Sequence, residues 1–238
     1  MNTYRDYLVF AGKASADFEI YVADCMGQFT SPKRNVESVK VPGRNGELTI
    51  SDGTFENVSI KYRLYVKGDI RERIDAFRNF LNVNPGYHRL EDSFSPDEFR
   101  LAQYVSVFDV DTSDRRNAAF EVEFDCQPQR FLKNGENVIT INRSGTILNA
   151  HYTTSKPLVR VYGIGTVTID RIPITINASS GYTDIDCDAE SAYMGTADCN
   201  AKITLSNGRF WKIKPGYNEV NLGSGISRVE ITPRYWIL

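Results

Sequence analysis

The chain has 238 residues, 24% of them charged, with 28 Lys and Arg against 30 Asp and Glu and a formal net charge of −2. That balance excludes the clustered positive charge with which proteins grip phosphate backbones, and no apolar run approaches the ~20 residues that span a bilayer. With 41% hydrophobic residues, the length suits one large or two small soluble domains with sizeable cores.

The opening residues Met1-Asn2-Thr3-Tyr4-Arg5-Asp6 lack the charged, apolar and small-residue regions of a secretory signal, which predicts folding in a cytoplasm. Cys25, Cys126, Cys187 and Cys199 are scattered, without the paired spacing that zinc requires. Cys126 and Cys187 fall on inward positions of strand patterns and read as small core hydrophobes.

Strand patterns come first, at Tyr7–Phe10 and Phe18–Val22. Residues Val41–Leu48 then read VPGRNGEL. Gly43 and Gly46 permit positive φ and Asn45 tolerates it. The flanks Ser38–Val41 and Glu47–Ile50 alternate, so the segment reads as a β-hairpin arm spanning about residues 24–52, with Arg44 at its tip. Taken alone, the same letters also describe a surface turn with a solvated Arg. The stretch from Asp24 to Asp52 has few apolar anchors, which predicts that a partner orders it.

Val58–Val66 alternates cleanly. The period then switches: Ile70, Ile74, Phe77 and Leu81 recur at helical spacing, with Asp69 and Glu72 placed as a capping box. Arg71, Arg73 and Arg78 read as the solvated face of this helix, and Asn84-Pro85-Gly86 stops it. Strands resume at Gly86–Leu90, Leu101–Val110 and Phe120–Cys126. In the last, Glu121, Glu123 and Asp125 point away from the apolar face as an acidic stripe.

Residues Gln129–Asn137 mark a boundary between domains at 1–130 and 131–238. Beyond it, strand candidates are Val138–Ile141, Leu158–Tyr162, Thr166–Ile169, Ile172–Ile176, Asp184–Cys187, Ala201–Leu205, Asn218–Val220 and Arg228–Ile231. Short strands at this spacing, separated by Gly- and Asn-rich turns, argue a β-sandwich or jelly roll.

Catalytic signals are thin. There are two histidines, His88 and His151, and no G-x-S-x-G, Walker or H-E-x-x-H motif. Asp184, Asp186 and Asp188 stand at alternate positions, but the Gly and Glu of a calcium loop are missing. They read as solvated acids with Ile185 and Cys187 inward, so no metal and no cofactor is expected. Trp211 and Trp236, with Tyr182, Tyr193 and Tyr217, are either core aromatics or a sugar-stacking platform. A wall hydrolase would need two carboxylates across a cleft, and no such pair stands out; the chain reads as a non-enzyme.

Several segments line up in order: Phe10-Ala11-Gly12-Lys13, Ser15, Asp17-Phe18, the arm motif, the helix, Leu90-Glu91-Asp92, Phe99-Arg100-Leu101-Ala102, Phe124-Asp125-Cys126-Gln127-Pro128, Pro215-Gly216-Tyr217-Asn218 and Pro233-Arg234-Tyr235-Trp236. Together they resemble the distal tail protein family of long-tailed, non-contractile bacteriophages and related prophages. Asn45 stands where Asp is more usual, and Tyr217 is a departure within its turn.

The resemblance implies a mainly β fold: an N-terminal β-sandwich with one α-helix and an extended β-hairpin arm, plus a C-terminal galectin-like β-sandwich. It implies a homohexameric ring at the tail tip, joining the tail tube protein to a tail-associated tip protein or baseplate, with DNA passing through a central channel and no membrane partner. The protein would reside in the virion after assembly in the host cytoplasm. Val41, Pro42, Gly43, Arg44, Asn45, Gly46 and Leu48 would form the subunit-interface arm, and Glu121, Glu123 and Asp125 would face the channel. The alternative is a carbohydrate-binding module for host wall polysaccharide, with Trp211 and Trp236 stacking on sugar.

Overall fold

The computed structural model describes residues 6–106, 110–114, 116–206 and 208–238. The end of the strand expected at Leu101–Val110 lies in part outside them. The chain divides into two compact units, Met1–Arg130 with Leu238, and Phe131–Ile237.

Unit 1 contains β1 (Leu8–Phe10), β2 (Lys13–Ala14), β3 (Ile20–Met26), β4 (Arg34–Lys40), β5 (Glu47–Phe55), β6 (Val58–Lys67), α1 (Ile70–Asn82), β7 (His88–Asp92), β8 (Glu98–Tyr104), β9 (Asp111–Asp114) and β10 (Asn117–Cys126). Its antiparallel sheet runs β2-β1-β7-β8-β10-β6-β3, with β9 also on β10, and β4 pairs with β5 as a separate hairpin. The long β6/β10 ladder, from Val58↔Cys126 to Lys67↔Asn117, follows from two matching period-2 patterns. Its inward residues, Ile60, Tyr62, Leu64 and Val66 against Phe120, Val122 and Phe124, are buried. Helix α1 lays Ile70, Ile74, Phe77 and Leu81 on the same core, and the Phe77 ring meets Phe18 at 5.3 Å.

Two local expectations change. Asp69 makes no side-chain cap. The chain enters the helix through Gly68 at φ +92, and the Ile70 N–H bonds the Gly68 carbonyl instead. Arg73 donates to the Lys67 carbonyl and pairs with Glu19 at 2.6 Å; Arg78 pairs with Asp75. The arginine face is therefore only partly a solvated one. The arm is also shorter at its start than expected. Ser15–Phe18 is a 3₁₀ turn, so β3 begins at Ile20 and stays on the edge of β6 as far as Met26. The free hairpin is Arg34–Phe55.

After β11 (Arg130–Leu132), unit 2 contains β12 (Ile139–Ile141), β13 (Gly145–Asn149), β14 (Leu158–Gly163), β15 (Gly165–Ile169), β16 (Ile172–Ile176), β17 (Tyr182–Asp186), β18 (Ser191–Met194), β19 (Ala197–Asp198), β20 (Ile203–Leu205), β21 (Gly216–Leu222), β22 (Ile226–Thr232) and β23 (Trp236–Ile237). A six-stranded sheet, β12-β22-β14-β17-β18-β19, and a five-stranded sheet, β13-β21-β15-β16-β20, enclose one core that includes Val159, Val161, Ile174, Ile185, Trp211 and Ile231. Two loops cross with backbone against backbone. A Cβ on Gly163, at φ +113, would stand 2.1 Å from the Gly225 carbonyl oxygen, so only glycine fits.

Candidate functional site

The arm is built by register. Lys40 faces Glu47, Val39 faces Leu48 and Glu37 faces Ile50, leaving residues 41–46 as the connecting loop. Gly43 and Gly46 both take positive φ, at +79 and +81, and the Arg44 N–H bonds the Val41 carbonyl at 3.2 Å. Cross-strand partners share a face, so Val39, Leu48 and Ile50 form an apolar stripe that Glu37 borders opposite Ile50, with Ser38, Lys40, Thr49 and Glu47 on the other face. Leu48 is 41% and Ile50 53% exposed. A lone two-stranded ribbon is marginal in water; a stripe this open leaves apolar area to be covered.

The root of the arm is held more firmly. Lys33 pairs with Glu56 at 2.9 Å, and the Glu56 N–H bonds the Lys33 carbonyl at 2.8 Å. Buried Arg100 donates to the Gln28 carbonyl at 3.3 Å, and burial lowers the pKa of its guanidinium. Gly27, at φ +90, brings the chain so close to β6 that a Cβ would lie 2.5 Å from the Ser59 carbonyl oxygen. Beside this junction is a cavity of about 20 Å³ lined by Gln28, Tyr62, Asp92, Ser95 and Arg100 among others, room for one water. Tyr62 donates to Asp92 across it at 2.6 Å.

The acidic stripe is not a free one. Glu121 stands opposite Arg63, Glu123 opposite Lys61 and Asp125 opposite Ser59. Lys61 approaches Glu123 to 3.4 Å, and the Ser59 hydroxyl bonds the same carboxylate, which lowers its pKa. Asn57 and Gln103 donate to Asp125 at 2.7 and 3.0 Å. The neighbouring strand thus supplies a basic row that cancels much of the stripe, a match that only the register reveals.

In unit 2, Trp211 is 0% exposed and its indole N–H bonds the Ile172 carbonyl at 2.8 Å. It is core, and it offers no ring face to a sugar. Trp236 is half-buried and donates to the Thr154 carbonyl. Asp184 and Asp186 are buried rather than solvated. Arg160 grips Asp184 through two bonds of 2.7 and 2.9 Å, and Arg234 grips Asp186 at 2.8 and 2.9 Å. Asp188 remains exposed and pairs with Lys156. These arginines occupy the lone pairs a calcium ion would have used. Both faces of β17 are buried, so its alternation is not the inside–outside one expected.

Burial alone would raise the pKa of the Asp186 carboxyl. The Arg234 bonds and the N–H groups of Ala189 and Asp188 outweigh it and hold the pKa below the ordinary value. A carboxylate held low stabilises the fold above its unfolded pKa, about 4, and that contribution is lost as pH falls through the folded value. Urea midpoints for unit 2 are therefore expected to drop below about pH 4. Asp186→Asn is expected to lower stability at neutral pH and to flatten that acid limb; an unchanged limb would refute the assignment.

The sequence pattern marks Asp184, Tyr182 and Tyr193 singly; the fold groups them with further residues on the outer face of the six-stranded sheet. Registers place Glu230, Arg160, Asp184 and Tyr193 side by side across four strands, and Arg228, Tyr162 and Tyr182 in the adjoining row. Arg160 lies 4.3 Å over the Tyr182 ring and Arg228 4.0 Å over Tyr162. The Tyr162 hydroxyl donates to Glu230 at 3.1 Å.

Comparison with known proteins gives the class first. Residues 17–126 match the family model described as the phage tail protein RIFT-related domain, so most of the first unit is similar to a phage tail domain. The whole chain superposes on the Dit (gp 19.1) protein of phage SPP1, whose crystal structure is described as a paradigm of the hub adsorption apparatus in phages infecting Gram-positive bacteria. The match covers 98% of this chain and 99% of that one, with a TM-score of 0.75 and 14% identity. The chain has the fold of a distal tail protein. No curated protein matches its sequence.

Proposed function

We propose that this protein is the structural hub of a phage tail tip, and that six copies close into a ring through their arms. The observation that carries the reading is the exposed hairpin Arg34–Phe55, whose apolar stripe is left open by the described residues, in a unit that matches a phage tail domain. In a ring, each copy offers its arm to the next through a heterologous contact, and obligate contacts of this kind bury upwards of ~2,000 Å². Arg44, at the tip, has the reach and the fork geometry to pair with a carboxylate of the neighbour.

The ring joins the tail tube to the tip or baseplate proteins, and DNA passes through its channel without being held. The stripe of Glu121, Glu123 and Asp125 faces that channel. Its pairing with Arg63 and Lys61 leaves a wall with little net field, which neither traps nor strongly repels a polyanion. The role is structural rather than catalytic, and its place is the virion after assembly in the host cytoplasm.

Light scattering with negative-stain imaging of the purified chain tests this. The expected result is a ring of six copies of 26.9 kDa with a central opening. A strictly monomeric sample at high concentration overturns the proposal.

A further inference from the structure

We propose that Asn45, in the loop of the arm, converts spontaneously to aspartate and isoaspartate through a succinimide closed by the backbone nitrogen of Gly46. The deprotonated Gly46 nitrogen attacks the Asn45 side-chain carbonyl carbon. A new C–N bond closes the ring, the bond to Nδ2 breaks, and Nδ2 leaves as ammonia with the proton that the Gly46 nitrogen gave up. Water then opens the ring at either carbonyl, and no electrons change hands. A glycine after the asparagine favours the step, because it has no Cβ to hinder its own nitrogen and its backbone turns freely. Loop 41–46 lies beyond the last ladder pair, Lys40 with Glu47, and every residue in it is exposed. Neither the Asn45 amide nor the Gly46 N–H has a hydrogen-bond partner among the described residues. An open hollow lined by Lys40, Val41, Pro42, Arg44, Gly46 and Glu47 leaves room for the ring and for water. Nothing stands within 4 Å of the place a Gly46 Cβ would take.

Two similar dipeptides in the chain show what closes this route. Asn134-Gly135 lies inside the 3₁₀ turn Lys133–Glu136, with Gly135 buried. The Asn137 N–H bonds the Asn134 carbonyl at 3.2 Å and the Arg234 N–H bonds the Gly135 carbonyl at 2.8 Å. The Tyr235 nitrogen stands 2.3 Å from where a Gly135 Cβ would be, so the peptide there turns onto the side chain only through local unfolding. Asp52-Gly53, in the arm itself, would close the same ring by expelling water. Thr54 donates to Asp52 Oδ1 from its N–H at 2.8 Å and from its hydroxyl at 2.7 Å, and the Gly53 N–H is held by Ser51 Oγ at 3.2 Å. The Thr54 bonds lower the pKa of the Asp52 carboxyl, and the carboxylate they preserve is a poor target for a nucleophile. Asn207, before Gly208, lies outside the described residues. Conversion at the tip places a carboxylate beside Arg44 and, in the iso form, adds a carbon to the backbone of the turn. On the ring reading of the arm, that carboxylate competes for Arg44 and weakens the contact of an aged copy.

The test incubates the full chain for several days at mildly alkaline pH and body temperature, beside a Leu48→Asp, Ile50→Asp variant whose tip no neighbour covers. Peptide mapping by mass spectrometry reads Asn45, Asn134 and Asp52, and isoaspartyl methyltransferase labels the iso product. Asn45 is expected to convert at a rate that rises with pH, because the attacking nitrogen must lose its proton. It is expected to react at least about tenfold faster than Asn134, since even a modest local opening free energy imposes that factor on the buried site. Asn45→Gln is expected to abolish labelling of the arm peptide, because its longer side chain closes a six-membered ring far more slowly. Such conversion in either sample supports the proposal. Asn45 intact in both samples, Asn134 converting as fast, or isoaspartate formed at Asp52 instead would overturn it. The mass of one peptide is read whether or not rings form, and light scattering on the same samples judges the ring separately.

Discussion

Replacing Leu48 and Ile50 together by Asp is expected to reduce the proposed ring to monomers while each monomer melts as before. Both side chains are about half exposed in the single chain, so the folded monomer loses little, within about 0.5 kcal/mol. Covered by a neighbour, each would bury the remaining half, roughly 0.7–1.5 kcal/mol of apolar contact. Losing both would cost about 1.5–3 kcal/mol at every junction, a factor of about 10–100 in each contact, and the two new carboxylates would be buried as well. Deleting the hairpin outright is expected to act the same way. Lys33 and Glu56 are already bonded to each other at its root, so a short Gly-rich turn can bridge the gap without disturbing β6. Sedimentation velocity and calorimetry on the same preparations decide the matter. Rings that survive the double substitution would show that the contact lies elsewhere; a large drop in melting temperature would show that the arm serves its own chain.

The second large effect belongs to unit 2. Trp211→Ala is expected to cost about 3–5 kcal/mol, against a total of about 5–15 kcal/mol for an ordinary domain. The indole is fully enclosed, and its loss also strands the Ile172 carbonyl that it satisfies. Trp211→Phe keeps most of the volume and loses the bond, about 1–2 kcal/mol. Gly163→Ala tests the crossing of the two loops independently, since the new methyl would collide with the Gly225 carbonyl oxygen in a backbone conformation that alanine avoids. Denaturant unfolding followed by tryptophan fluorescence reads both. A Trp211→Ala protein that unfolds at the wild-type midpoint would show that the ring is not the keystone of this core.

What could be read from the amino acids was what depends on neighbours in the chain. The period-2 runs of β6 and β10 and the 3.6-residue stripe of α1 each mark one apolar face, and the buried residues are those runs. Strands β13 and β18 escaped because their neighbours carry turn letters, Asn142 to Gly145 and Gly195, that drown a short strand. The arginine partners of Asp184 and Asp186 are 24 and 48 residues away along the chain, and the lysine facing Glu123 sits on another strand. No local pattern encodes such pairings, and the misjudged acids Glu123, Asp184 and Asp186 are cases of it. The same holds for Trp211: a Phe-Trp pair beside a turn has no period to say which ring goes inside.

The anchoring of the hairpin at Gly27 and Arg100 has a geometric consequence. In the proposed ring, the direction in which one copy reaches for the next would be set inside each molecule, before any encounter. In a closed circle the same angle recurs at every junction, and the circle shuts only when those angles sum to one full turn. The number of copies would then be written at that single joint, and a change of hinge there would alter the symmetry of the whole assembly without touching any surface that the copies share.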